Sequence, residues 1–253
     1  MIKVICLILE AFYGKTTTGN KFVNVYNTNA MDDVYLIFPV NDKRKQNLEY
    51  QRHITRLSRH PRFNILIKFL GPLKYRIPIW KSIDDAILYA VIGQMLSSKA
   101  SASIIKGLIQ KFGSSSSVIQ WAEKNFRKKG PVNGVSQRKR QALREWALYV
   151  KTNNGIWRKW KTMPLPEYRK EICTIWGFGR WSADMIAIFH LGRMDIWPEN
   201  DSGINKSCKA VLGCDEYDST KKYIAGSETV AALYLWELLN RNLLENFKRN
   251  YNG

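Results

Sequence analysis

Two helical amphipathic segments, residues 166–175 and 181–191, are separated by little more than Gly177-Phe178-Gly179-Arg180. Two glycines two apart allow a hairpin so tight that backbone amides open outward at the start of the second helix. A helix N-terminus of that kind binds phosphate without a side-chain charge. A dinucleotide-binding loop needs a strand before its glycines, and here a helix precedes them, which argues against that fold. Taken alone, the Gly-x-Gly fits a helix C-cap followed by a tight turn equally well.

Helical spacing recurs along the rest of the chain. Ile83, Ile87, Leu88, Val91, Ile92 and Met95 follow Ser82, an N-cap residue with Asp84 and Asp85 in the first turn. Ile104, Ile105, Leu108, Ile109 and Phe112 mark a second helix that stops at Gly113, with the serine run 114–117 as its connection. Residues 135–150, capped by Ser136, and 230–244 complete the long helices. A mostly α domain is predicted, and no repeat of 20–50 residues supports a solenoid. Residues 14–33, rich in Gly, Thr and Asn, read as loops and short strands. All nine tryptophans lie from Trp80 onward, which places the principal core late in the chain. The expected division is an N-terminal segment of loops and short strands over 1–60 and a helical domain over 61–253.

Charge narrows the partner. Forty Lys and Arg against 21 Asp and Glu give a net charge of +19 and point to a polyanion, either nucleic acid or an anionic membrane surface. No isolated basic amphipathic helix supports the membrane. Eleven basic residues lie between Trp121 and Trp160, among them Lys124, Arg127, Lys128, Lys129, Arg138, Lys139, Arg140 and Arg144, against Glu123 and Glu145 alone. The four cysteines, Cys6, Cys173, Cys208 and Cys214, are too scattered for a disulfide framework or a zinc or iron–sulfur site, so a reducing compartment and no structural metal are expected. Neither a signal peptide nor a run of 18 apolar residues is recognisable, which predicts a soluble intracellular protein.

Two further segments carry polar chemistry. In Asp195-Ile196-Trp197-Pro198-Glu199-Asn200-Asp201-Ser202-Gly203-Ile204, three carboxylates compete for an acidic role, and Asp201 before a helix is by local signals an N-cap. Gly93-Gln94-Met95-Leu96-Ser97-Ser98 ends the first long helix, where Met95 by itself reads as core.

Together these segments resemble the helix-hairpin-helix superfamily of DNA glycosylases, most closely its 3-methyladenine DNA glycosylase II branch, over about residues 61–245. The resemblance is carried by Ala90-Val91-Ile92-Gly93-Gln94-Met95-Leu96-Ser97, by Gly134-Val135-Ser136 with Arg138 and Lys139, by Gly177-Phe178-Gly179-Arg180-Trp181-Ser182-Ala183, and by Pro198, Asp201 and Gly203. It implies a two-lobed helical domain with a cleft between the lobes, a monomer acting on damaged double-stranded DNA inside the cell, as the opening step of base excision repair. No cofactor is implied apart from a monovalent cation held by hairpin carbonyls in family members.

The resemblance also assigns roles. A base inside a duplex is out of reach, so the damaged nucleotide is rotated out of the stack and the gap is filled. Met95, with Gln94 beside it, falls on the wedge position. The hairpin from Gly177 through Gly179 and Arg180 to Trp181 would hold a backbone phosphate, with Arg138 and Lys139 as further DNA contacts. Asp201 falls on the aspartate that stabilises the oxocarbenium-like sugar and orients water. Members that also cut the strand carry a lysine nucleophile where this chain has Trp181, which implies a monofunctional enzyme leaving an abasic site. Trp181 and Trp236 match aromatics of the base pocket, where cation–π contacts favour cationic alkylated purines by about 1–2 kcal/mol each. The stretch Tyr223-Ile224-Ala225-Gly226-Ser227-Glu228 replaces a tryptophan, proline and arginine frequent in the branch. A glycosylase for mismatched or deaminated bases, and a non-catalytic helix-hairpin-helix DNA-binding protein, are the alternative readings.

Overall fold

The computed structural model describes residues 43–73, 77, 79–80, 82–199, 201–213, 221 and 223–251, so the loops and strands expected at 14–33 lie outside the described residues. The described chain is helical: α1 Lys43–Leu57, α2 Pro61–Leu70, α3 Ile83–Gly93, α4 Ser98–Phe112, α5 Ser115–Asn125, α6 Gln137–Thr152, α7 Trp157–Trp160, α8 Leu165–Cys173, α9 Arg180–Ile186, α10 Ser202–Leu212, α11 Glu228–Asn240 and α12 Leu244–Tyr251. No described residue belongs to a sheet; Val132 and Val135 form an isolated bridge. The mostly α fold read from the sequence is the fold found.

Side-chain caps fix several helix starts. Ser82 and Asp85 form a reciprocal capping box, and Ser97, Ser114, Ser136 and Asp201 each accept a hydrogen bond from a backbone N–H three residues on. The serine run expected as a connection is therefore a helix start: Ser114 is the cap and the three serines after it form the first turn of α5. Within the segment expected to hold loops and short strands, residues 43–57 form the helix α1, which buries Tyr50 and Leu57 in the common core. Its apolar positions are sparse on a polar helix, and burial of Tyr50, Ile54 and Leu57 on one face stabilises what propensity leaves marginal. The last predicted helix breaks at Asn242, which adopts a left-handed conformation, and α12 follows as a separate element.

The helices fall into two packing groups. In the first, α3 is central, with α4, α5, α6 and α9 against it and α8 against α9. In the second, α10 packs on α11, α12 and α2, and α2 on α1 and α11. The early and late ends of the described chain are thus joined: Tyr50 Oη meets Tyr234 Oη at 2.8 Å, His53 Nδ1 meets Ser227 Oγ at 2.9 Å, and Arg56 donates to the Ala225 carbonyl. Between the groups, α9 widens into a π-helical turn, Ala187–Leu191, packed on α3. The Phe189 carbonyl there accepts the N–H groups of Ile79 and Trp80, and the Phe189 ring lies against Trp80 and Trp236. No described helix is long and apolar enough to cross a membrane.

Candidate active site

The hairpin is as tight as its glycines suggest. Gly177 has φ 87, and a Cβ there would lie 2.5 Å from the Ala142 Cβ on α6, so both the backbone conformation and the packing require glycine. At Gly179, the N-cap of α9, a Cβ would meet nothing within 4 Å, so this edge of the hairpin faces open space. Phe178 is buried and anchors the turn. Beneath it, Arg169 and the buried Asp184 form an ion pair at 2.8 Å, and burial pushes the Asp184 carboxyl up to about 6 against the opposing pull of Arg169. Arg180 is ion-paired with Glu199 at 2.8 Å.

The turn after α3 is braced against this hairpin. The Gln94 amide nitrogen donates to the Gly177 carbonyl at 2.8 Å and to Ser182 Oγ at 2.9 Å. Lys139 Nζ donates to the carbonyls of Ile92 and Gln94 at 2.7 and 3.0 Å, and burial lowers its pKa. Held from both sides, Met95 adopts a left-handed conformation with φ 57 and is fully exposed. A non-glycine residue in that region is strained, and a large apolar side chain in water forgoes burial. The core position expected from the helical spacing alone is not where the residue sits, because α3 ends at Gly93.

Asp201 is the opposite case, a carboxylate at 6% exposure. As N-cap of α10 it accepts from Ile204 N through Oδ1 at 2.9 Å. Trp236 Nε1 donates to the same oxygen at 2.9 Å, and Trp181 Nε1 donates to Oδ2 at 2.9 Å. A carboxylate offers about four lone-pair sites. Three are occupied, which leaves the remaining one on Oδ2, beside half-buried Trp181. Gly203 makes room for the arrangement, since a Cβ there would lie 3.0 Å from Asp201 Oδ1. The far edge of the Trp181 ring reaches α3, where a Cβ on Gly93 would touch it at 3.4 Å. Trp181 therefore spans the distance from Asp201 to the residue before Gln94 and Met95.

Sequence reasoning brought Asp201, Trp181 and Trp236 forward for separate roles, and the structure places them in one hydrogen-bonded group. Trp236 is 2% exposed, so its polar edge serves Asp201 while its face packs on Phe189. Of the basic residues, Arg138 is exposed on the first turn of α6, whereas Lys139 is engaged by backbone carbonyls. Arg140, counted within the basic run, is fully buried: its guanidinium donates to the carbonyls of Asn125, Lys128, Gly130 and Val135 and so shapes the loop from α5 to α6. Arg144 pairs with Glu145, and Lys151 with Glu123. Lys124, Arg127, Lys128 and Lys129 remain exposed. The interior position of Arg140 was hidden because its partners are main-chain carbonyls, which leave no side-chain pattern. Glu199 was weighed against Asp201 for the acidic role, and its pairing with Arg180 separates the two. Cys173 and Cys208 are unbridged; Cys6 and Cys214 lie outside the described residues. No cluster of metal-ligating side chains occurs among the described residues.

No protein-family model matches the chain. It is similar to the alkylbase DNA glycosidase-like protein mag2 of Schizosaccharomyces pombe, 24% identical over 202 residues that cover 74% of this chain and 92% of that protein. Among solved structures it is similar to 3-methyladenine DNA glycosylase (Mag1) of Schizosaccharomyces pombe in complex with abasic DNA, with a TM-score of 0.62 and 21% identity over 75% of this chain and 97% of that one. A DNA-3-methyladenine glycosidase of Bacillus halodurans gives a TM-score of 0.60 and 23% identity over 74% and 88% of the two chains. The 3-methyladenine DNA glycosylase of Archaeoglobus fulgidus gives 0.61 and 17% over 78% and 74%. The chain has the fold of these DNA glycosylases, as the resemblance of its motifs implies.

Proposed function

We propose that this protein is a monofunctional DNA glycosylase that hydrolyses the N-glycosidic bond of alkylated purines in duplex DNA and leaves an abasic site. The observation that carries the reading is Asp201: a buried carboxylate fixed by Ile204 N, Trp236 Nε1 and Trp181 Nε1, with one acceptor site left. Such a group is preorganised, so it need not reorient when positive charge develops on the deoxyribose, and that is where electrostatic stabilisation of a transition state is most effective. The same free lone pair can orient the attacking water. Trp181 stands where a strand-cleaving relative would carry a lysine, and an indole cannot form a Schiff base.

The remaining parts follow from the braced turns. Met95, exposed and held in its conformation by Lys139 and Gln94, enters the gap left by the flipped nucleotide. The hairpin edge at Gly179 receives a backbone phosphate, and exposed Arg138 with the lysines and arginine of residues 124–129 neutralises others. The half-buried ring of Trp181 belongs to the wall against which a cationic purine lies, while Trp236, expected there too, is buried against Phe189 and serves the site through its bond to Asp201. The two packing groups would form the two lobes, with the substrate cleft between them, and the protein would act as an intracellular monomer.

A DNA-binding protein without the hydrolytic step is the second reading, and the N-cap bond of Asp201 favours it, since capping alone accounts for an aspartate at that place. The two are separated by incubating methylated duplex DNA with wild type and Asp201→Asn and revealing abasic sites with alkali. The hydrolytic reading expects Asp201→Asn to lose about 10³-fold in base release while still binding DNA. Equal release by both proteins overturns the assignment of Asp201. Binding by both without release establishes the second reading.

A further inference from the structure

Among the described residues, five large apolar side chains are exposed: Leu48, Met95, Leu96, Trp176 and Tyr251. Three of these sit on the two turns that Gln94 ties together. Met95 and Leu96 directly follow Gln94, and Trp176 directly precedes Gly177, whose carbonyl accepts the Gln94 amide at 2.8 Å. The hydrogen bond therefore has an exposed apolar residue beside it on each strand of the contact. Trp176 is 42% exposed, and among the described residues its ring has neither a stacking partner nor a hydrogen-bond partner. Its neighbours are fixed: Gly177 is wedged against Ala142, Phe178 and Ile175 are buried, and the turn closes by a bond from Phe178 N to the Ile175 carbonyl at 3.0 Å. The hairpin thus presents Trp176 outward from a rigid base, and side chains that do not hold the fold yet sit on rigid backbone are suited to binding.

We infer that Trp176 is a DNA-contacting residue, its indole lying on the sugar and base edges of the duplex next to the gap that Met95 fills. This rests on the DNA-directed part of the proposed function and does not require the hydrolytic part. Charge selects the occupant. Arg138 is exposed on the first turn of α6, one residue from Lys139, whose Nζ touches the Gln94 carbonyl, so a cation borders the apolar residues. An apolar ring beside cations, on a chain of net charge +19, suits a polyanion with apolar edges, which is what a nucleic acid offers in its sugars and bases. A chain with 40 Lys and Arg against 21 Asp and Glu offers a protein partner less than it offers a polyanion.

An apolar contact and a phosphate contact leave different signatures. Counterion release makes affinity depend on salt in proportion to the phosphates neutralised, whereas a stacking contact shifts affinity by the same factor at every salt concentration. The test is fluorescence anisotropy with a labelled duplex containing a tetrahydrofuran abasic-site analogue, over a salt series, for wild type, Trp176→Ala, Trp176→Phe and Arg138→Gln. Trp176→Ala is expected to bind about tenfold more weakly with an unchanged salt slope, since one aromatic contact to nucleic acid carries a factor of that order. Trp176→Phe should recover most of the loss, and Arg138→Gln should make the slope shallower by about 0.9, one phosphate contact. Because the ring is exposed, thermal denaturation of Trp176→Ala should match that of wild type.

Binding by Trp176→Ala within twofold of wild type overturns the inference. So does a loss accompanied by a shallower slope, which would mean that the substitution had displaced basic groups instead of removing a contact. Weakened self-association in sedimentation with intact DNA affinity would assign the ring to a second copy and likewise overturn it. If wild type releases no base but Trp176→Ala still loses DNA affinity, the hydrolytic reading fails and this one stands. If base release proceeds and Trp176→Ala binds normally, the reverse holds.

Discussion

The Met95 turn and the Asp201 group break the ordinary rule of burial in opposite directions. One places an apolar side chain in water on strained backbone, and the other places a carboxylate inside. Both are held by hydrogen bonds to distant elements: at the turn, Lys139 of α6 donates to the Gln94 carbonyl and the Gln94 side chain donates to the hairpin, and at the carboxylate Trp181 of α9 and Trp236 of α11 donate. The difference lies in what is left unsatisfied. At Asp201 nearly every acceptor site is filled, so the group is stable and one lone pair remains for chemistry. Around Met95 the carbonyls of Ile92 and Gln94 are satisfied by Lys139, while the Met95 side chain stands fully exposed. Trp181 joins the two regions, with its nitrogen on Asp201 and its ring edge against Gly93.

Removing the charge of Asp201 is the largest effect expected and leaves the Met95 side of the comparison untouched. Next is Gly177→Ala, which should destabilise the protein by about 3 kcal/mol through a Cβ forced onto Ala142 and a left-handed backbone, read by denaturant unfolding. A second substitution, Ala142→Gly, should restore only the steric share. If Gly177→Ala is neutral, the bracing of the Met95 turn by the hairpin is not rigid. Trp236→Phe keeps the ring against Phe189 and removes the donor to Oδ1, and should lower kcat about tenfold with little change in KM, measured by steady-state base release. A change confined to KM would mean that Trp236 binds the base without positioning Asp201. The smallest effect is that of Met95→Gly, which relieves the strained φ and should stabilise the fold by about 0.5–1 kcal/mol in chemical denaturation while base release declines. A loss of stability instead would place Met95 among the residues that hold the fold.

Much of this was legible in residue order. Ser82 and Ser136 marked helix starts, the glycines at 177 and 179 marked the hairpin, and the motif order singled out Asp201, Trp181 and Met95. The helix α1 was missed because four apolar residues on a polar segment, one of them the exposed Leu48, give a weak period, and its stability comes from the late helices packed beside it. The start of α5 was missed because four serines suit a loop and a capped first turn equally. Lys139 and Arg140, read as part of a charged surface, turned out to be tied to carbonyls, since a sequence records charge but not which way a side chain turns.

By itself the sequence determined the helical class and the hairpin, because periodicity, capping and glycine spacing are local properties that neighbouring residues express; the candidate site residues Asp201, Trp181 and Met95 came from the resemblance of the motifs in their order. Tertiary structure alone decided that both indoles serve one carboxylate, that Gln94 and Lys139 lock the Met95 turn, and that Trp176 stays in the open. Each of these depends on a donor and an acceptor, or on the absence of a covering side chain, from elements far apart in the chain, as with Gln94 and Gly177, 83 positions from each other. Local patterning carries no information about such pairings; those of Gln94 and Lys139 are set by packing within the first group of helices, and that of Trp181 with Asp201 by how the two groups close on each other.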